Sequence, residues 1–308
     1  MADNPGTLPD PSAYDTLVDS ETREWMKLIT GIQDDDELKN HIVDVQAKAF
    51  AIAPYPCITT LNFIRRKMSD HVAYEQVLKL GREREGALLL EMGCCFAIEV
   101  RRAVTDGFPA KQIIASDLNA ELWEFGHTLC RSTPESFPVT FLVGDALDPE
   151  FLSPIPCNVE TQHAFDLSRI STLNDLKGKC SAIYARSFFH LFDEAQQCQL
   201  AHALGSLLSP EKGSVIFGSH IGGPEKGSIT HRAIAGQERT FFHSPSSWEE
   251  LWTETSPTNH QDGMAQGNDH LQRPVFRFGE AKVEASIKFI RLGIGFEGYR
   301  LEWSVTRL

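Results

Sequence analysis

The sequence predicts an α/β protein with a doubly wound, largely parallel sheet, preceded by a block of helices. Two observations carry this prediction. From Gly86 onward, short apolar runs alternate with stretches of helical periodicity, the pattern of repeated strand–helix–strand units. Before Gly86 the apolar residues recur instead at helix-face spacing. A third observation concerns polarity: Glu91, Asp117 and Asp145 each stand at or just past the end of one apolar run.

The elements follow in order. Residues 1–15 hold three prolines and no periodicity and read as a flexible tail. Ser20 is positioned to cap a helix with Trp25, Leu28 and Ile29 on one face, ended by Gly31. Asp34, Asp35, Asp36 and Glu37 put negative charge in the first turn of a second helix, the end that favours it. That helix carries Leu38, Ile42, Val45 and Ala49 inward and stops before Pro54-Tyr55-Pro56. A third apolar segment, 58–80, leads to Gly81, so residues 16–82 form a helical lid region and 83–308 the main domain. In the main domain, strands are expected at 87–90, 112–116 (ending on Asp117), 139–143, 182–185 and 214–218. Helices are expected at 97–104, 121–131 and 194–208. Segments 282–289 and 299–305 partly alternate and are placed as a hairpin closing one edge, which makes seven strands.

Composition narrows the function classes. The 308 residues, 42% hydrophobic, suffice for one large or two small cores. With 29 Lys plus Arg against 42 Asp plus Glu, the net charge is −13, which repels a phosphate backbone unless bases cluster. The longest basic run is Arg65-Arg66-Lys67, so no nucleic-acid partner is expected. No run approaches the roughly 18–20 apolar residues of a membrane span, and the polar start lacks the blocks of a signal peptide. Seven cysteines cannot all pair, and none forms a C-x-x-C. A cytoplasmic protein is the expectation.

The candidate site lies at the carboxyl ends of the strands, where open α/β sheets bind ligands. An acid after the second strand suits ribose hydroxyls, and one after the third suits a purine amine. Gly93 allows close approach to the backbone, but the loop has a single glycine and is not the G-x-G-x-x-G of a dinucleotide site. Glu91, where a phosphate would otherwise sit, favours a cationic ligand with an amino-acid tail.

The segments LLLEMGCCFA (88–97), IIASDL (113–118), FLVGDAL (141–147), AIYARSFFHLF (182–192) and GSVIFGSHIG (213–222) resemble the seven-strand class I methyltransferases. More narrowly, with AFAIAPYPCI (49–58) and FHSPSSW (242–248), the chain resembles the small fungal methyltransferases of polyketide and meroterpenoid biosynthesis. The resemblance implies a Rossmann-like sheet, S-adenosylmethionine as cofactor and no metal. It implies that Glu91 and Gly93, with Cys94 in the same loop, hold the amino-acid part of the cofactor. Asp117 takes the ribose, Asp145 the adenine amine, and Leu118 and Ala146 line the ring. Arg186 or Ser187 approaches the methionine end, and the N-terminal helices, ending in the Tyr55-Pro56 turn, fold over the site. Ala97 stands where the family commonly carries glycine, a methyl group that narrows the cofactor cleft.

His190, His243 and Tyr55 are the catalytic candidates, each with a structural alternative as a core or surface residue. Cys94 and Cys95 read as small packing residues rather than as redox or metal groups. Phe241, Phe242, Trp248 and Trp252 read as an apolar substrate pocket or as plain core. The acidic cluster 34–37 reads as a solvated helix start. The expected activity is O-methylation of a small apolar acid, at a carboxylate that is already ionised at neutral pH. A phenol acceptor would need His190 or His243 as base. A nicotinamide-dependent oxidoreductase, and a cyclase or binding protein that has lost methyl transfer, are the other readings. A homodimer through the lid helices is also open.

Overall fold

The apolar runs become inner strands because both of their faces are covered, the usual state of a parallel sheet. The computed structural model describes residues 11–65, 67–154, 166–229, 240–253, 280–292 and 296–308. Five parallel strands, β1 (Leu88–Met92), β2 (Ile113–Asp117), β3 (Thr140–Val143), β4 (Cys180–Ala185) and β5 (Val215–Gly222), form most of one sheet. A short pair, β6 (Gly227–Ile229) with β7 (Thr240–Phe242), stands apart. The long hairpin β8 (Ala281–Leu292) and β9 (Phe296–Arg307) joins the sheet antiparallel to β5. The sheet order is β3-β2-β1-β4-β5-β9-β8, so the winding direction reverses between β1 and β4. That reversal opens a crevice at the carboxyl ends of the strands.

Side chains alternate across the sheet. Leu88, Leu90 and Met92 join Ile183, Ile216 and Trp303 on one face. Leu89 joins Ile113, Ala182, Tyr184 and Phe217 on the other. The expected hairpin is present at the sheet edge, while the β6–β7 pair was not foreseen.

The helical block differs from expectation in three places. Helix α1 (Ala13–Leu17) begins inside the expected tail and buries Tyr14; residues 1–10 lie outside the described residues. Helix α2 (Ser20–Thr30) is capped by Asp19 and not by Ser20, because the Asp19 carboxylate accepts the Thr22 N–H at 2.7 Å. Its inward face is Thr22, Trp25, Met26 and Thr30, and Leu28 is 67% exposed. Helix α3 (Asp35–Ile52) is as read: Asp34 accepts the Glu37 N–H at 2.9 Å, and Leu38, Ile42, Val45 and Ala49 are fully buried. The short α4 (Pro56–Thr59) follows the Tyr55 cap.

These helices are built into the body. Their cluster takes in Phe96, Ile98, Leu122, Leu129 and Cys130 of the main domain, and Phe63 stacks on Phe96 at 4.3 Å. His41 Nε2 meets the Leu129 carbonyl at 2.9 Å. That shared packing ends at Ile64. Helix α5 (Tyr74–Glu83), read as part of the lid, instead buries Tyr74, Val77 and Leu78 in the cluster under the sheet. The layers are completed by α6 (Ile98–Thr105), α7 (Ala120–Leu129), α8 (Glu194–Leu207) and α9 (Pro245–Thr253). No helix among the described residues is long and apolar enough to cross a membrane.

Candidate active site

Four strand ends converge on the crevice, and the loop after β1 forms its floor. Gly93 is exposed with φ of +65°, and a Cβ there would lie 3.1 Å from the Phe188 ring. Cys95 and Ala97 also take left-handed backbone, with φ of +52° and +55°. Hydrogen bonds hold this unusual path: Cys94 N–H to the Ser116 carbonyl at 3.1 Å, Ala97 N–H to the Cys94 carbonyl at 2.7 Å, and Cys95 N–H to Asp117 Oδ2 at 2.8 Å. From below, α7 comes so close at Gly126 that a Cβ would lie 2.4 Å from the Phe96 carbonyl oxygen. The Cys94 thiol turns into the core, where burial pushes it well above its usual value. Cys94 therefore presents neither side chain nor N–H to the crevice. The Ala97 methyl is likewise fully buried among core residues, so it does not narrow the cleft; its cost is backbone strain.

Asp117 ends β2 with Oδ1 on the Asn119 N–H at 2.9 Å, and burial raises its pKa. Leu118 beside it is 67% exposed. Asp145 is exposed after β3 and accepts the Leu147 N–H at 2.9 Å, while Ala146 is buried. Ser187, after β4, is exposed with φ of +50° and donates its N–H to the Ser219 carbonyl at 2.7 Å.

Glu91 lies inside β1, since the ladder runs two residues further than the apolar run. It is buried, its Oε2 has no hydrogen-bond partner among the described residues, and burial, then neighbouring Glu99, push its pKa well up. Glu99, in the first turn of α6, accepts the Lys67 and Met68 N–H groups on Oε2 at 2.9 and 2.8 Å. Its Oε1 has no hydrogen bond and lies 3.9 Å from Arg186 Nη1. Burial raises Glu99, against the pull of Arg186. Burial also lowers Lys67, with Arg186 adding to the effect. Sequence reading missed Glu99 and Lys67: a glutamate in a first helical turn is explained by the dipole alone, and only the fold turns it inward.

Of the three catalytic candidates, Tyr55 is 42% exposed, and its phenol is pushed up by burial and then by the Asp117 charge. His190 and His243 gather about a third histidine that the sequence did not single out. His220 is buried near the end of β5 and accepts the Trp303 indole N–H on Nδ1 at 3.0 Å. Burial holds it well below its usual pKa, and His190 and His243 add to that. His243 pairs Nδ1 with Ser247 Oγ at 2.9 Å and is lowered by burial to about 4. Around them pack Phe189, Trp248 and Trp303, with His220 and Trp248 centroids 4.7 Å apart. Trp248 and Trp252 are thus core, whereas Phe242 lines an open cleft of about 370 Å³ with Ile221, Gly223 and Tyr299. Among the described residues no group of three or more His, Cys, Asp or Glu is placed to hold a metal ion.

Residues 11–64 match the model of the meroterpenoid methyltransferase N-terminal domain, the stretch that packs as the helical cap. Methyltransferase ausD of Aspergillus calidoustus is 28% identical over 222 residues, 71% of this chain and 70% of the relative. The asnovolin E/chermesin D methyltransferase nvfJ of Aspergillus novofumigatus is 28% identical over 216 residues, 70% of this chain and 69% of the relative. A solved S-adenosylmethionine-dependent methyltransferase from Methanosarcina mazei is 12% identical with a TM-score of 0.45, covering 71% of this chain and 92% of that one; at that distance it adds nothing to the sheet order. About 70% of the chain is thus similar to fungal methyltransferases, and its helical cap matches the N-terminal domain of the meroterpenoid methyltransferases.

Proposed function

We propose that this enzyme methylates a carboxylate oxygen of a small apolar acid, an aromatic or prenylated polyketide acid of fungal meroterpenoid metabolism. The observation that carries this reading is the weakness of its buried histidines as bases: His243 at about 4 and His220 well below the usual imidazole value. A phenol ionises near about pH 10, a carboxylic acid near about pH 4, so only the phenol requires proton removal. Imidazoles of so low a pKa are weak bases, poorly matched to that task. They suit hydrogen bonding to an acceptor that is already an anion.

The residues at the strand ends fit the cofactor. Glu91 Oε2 and Glu99 Oε1 are buried acceptors without hydrogen bonds, matched to an ammonium group, and Arg186 beside them is matched to a carboxylate. Asp117 is assigned to the ribose, Asp145 to the adenine amine, and exposed Leu118 to the face of the ring. When bound, S-adenosylmethionine supplies a methyl carbon on a positive sulfonium. The chain's own part is to hold the acceptor oxygen in line with that carbon and to keep water out. Such positioning can supply roughly 7–11 kcal/mol of the barrier. The burial of the Ala97 methyl away from the crevice removes the feature that had favoured a retired enzyme. A cytoplasmic location and a homodimer accord with this reading, the latter to be checked by sedimentation.

The test is methyl ester formation from aromatic acids by the purified enzyme and its His190→Ala and His243→Ala variants. Rates within about three-fold of the parent are expected for both, well short of the 10²–10⁴ that general base catalysis contributes. A loss of about a hundred-fold or more in either, with folding intact, overturns the carboxylate reading in favour of a phenol.

A further inference from the structure

The far edge of the sheet is open. Strand β8, twelve residues long, ends the strand order, and β9 is its only partner among the described strands. An open edge of that length is ordinarily guarded by a proline, a bulge or a cover. β8 contains no proline, and its register with β9 runs unbroken from Ala281↔Arg307 to Leu292↔Phe296. Helix α9 covers one face, where Trp248 and Trp252 share a cluster with Ala281, Val283, Ala285 and Ile287. On the other face Lys282, Glu284, Ser286 and Lys288 are exposed. Phe289, near the end of the strand, is 49% exposed.

We propose that this edge pairs, antiparallel, with β8 of a second copy of the chain about a two-fold axis at Ser286, so that two sheets become one. The two-fold brings the same residues together from both sides, and charge selects the register. With Ser286 opposite Ser286, Glu284 of each copy faces Lys288 of the other. On the opposite face Val283 meets Phe289, and Ala285 meets Ile287. Lys282 falls opposite Ile290 and can lay its methylene stem there. A shift of two residues one way sets Lys282 against Lys288, like charges that oppose pairing. The same shift the other way leaves Glu284 against Ile290. Odd shifts turn the side chains of one copy to the wrong face of the joint sheet. Of the registers near full overlap, the central one alone brings opposite charges together.

Full overlap forms about ten backbone hydrogen bonds, as many as a typical interface carries. The helical cap offers no such surface, since its apolar face is turned to the main domain. Phe289 packs edge-on against Tyr299 with ring centroids 5.5 Å apart, and Tyr299 lines the cleft with Phe242. Val283 of the second copy therefore stands one ring away from that cleft. The homodimer named above gains a surface in this way, and nothing in the pairing rests on the cofactor assignment.

The experiment is sedimentation equilibrium of the full, reduced chain at low salt, where surface charges act most strongly. Twice the chain mass is expected at micromolar concentration. Glu284→Lys and Lys288→Glu, both at exposed positions, are each expected to weaken the dimer about ten-fold or more. The two changes together are expected to restore it to within about three-fold. A Ser286→Cys chain treated with a short bis-maleimide is expected to run as a cross-linked dimer on a denaturing gel, because its thiols lie opposite each other. A Lys282→Cys chain is not, since its thiols stand roughly 26 Å apart in this register; the parent serves as the blank for the native cysteines. A monomer throughout the range overturns the pairing. So does a dimer that ignores both charge reversals and gives no cross-link through Ser286→Cys. A dimer weakened by the single changes and by the pair alike, or cross-linked as well through Lys282→Cys, overturns the register. Methyl transfer is assayed apart from assembly, so each of these failures is distinct from a failure of the proposed reaction.

Discussion

Glu91 shows how a single buried group ties stability to function. In the unfolded chain a glutamate ionises near about pH 4.3, and in the fold its pKa lies well above that. The stability it allows is therefore full below the unfolded value and is lost as pH rises through the folded one. Glu91→Gln removes that penalty, so the cofactor-free variant is expected to melt above the parent at pH 8, by roughly 2–4 °C for each kcal/mol recovered. The same change removes a charged acceptor and is expected to weaken S-adenosylmethionine by about ten-fold or more; scanning fluorimetry and calorimetric titration check the two halves. Ala97→Gly makes the opposite case. It relieves left-handed strain of about 1–2 kcal/mol and forfeits about 0.8 kcal/mol of methyl burial. Stability within about 1 kcal/mol of the parent is expected, with cofactor affinity unchanged; a large gain in affinity would restore the narrowed cleft. At this scale Asp117 and Asp145 were legible because a carboxylate ending an apolar run needs no tertiary knowledge to place. Glu99 and His220 were not. Each depends on a neighbour distant in sequence, and each had a sufficient local explanation as helix start or strand.

At the scale of elements, periodicity served α3 well and α2 poorly, and the reason is the number of anchors. Four fully buried positions one turn apart fix the face of α3. In α2 the three apolar residues Trp25, Leu28 and Ile29 admit a rotation, and the packing chose Met26 over Leu28. The larger surprise was the docking of the cap. Because Ile42 sits in a cluster shared with α7, Ile42→Ala is expected to cost about 2–5 kcal/mol and to leave a single unfolding transition. Calorimetry showing two transitions, the lower one alone shifted, would mean that the cap unfolds as a unit of its own. The five parallel strands were legible, since an apolar run too short for a helix has few other places to go, whereas the short β6–β7 pair carries no such run. Their ends were less so: β1 continued through Glu91 because the parallel ladder with β2 and β4 holds that residue in register.

The whole molecule carries opposed titrations. His220 and His243 are held below the imidazole value, so their share of stability is full above about pH 6.5 and is lost as pH falls toward about 4 for His243. Glu91, Glu99 and Asp117 are held above the carboxylate value and tilt the curve down as pH rises. A denaturation series across pH is expected to show a maximum near neutrality for the cofactor-free chain, with the alkaline arm flattened by Glu91→Gln; an unchanged arm would remove Glu91 as its source.

One contact described above has a reach beyond its size. Gly126 lets α7 lie against the Phe96 carbonyl, and the N–H that bonds Asp117 belongs to the preceding residue, Cys95. The helix therefore works as an anvil under the loop, and its missing methyl is the tolerance to which the crevice floor is cut. Alanine would strengthen the helix itself and still lift the loop off its seat, so the shape of that floor is stored one layer away from it.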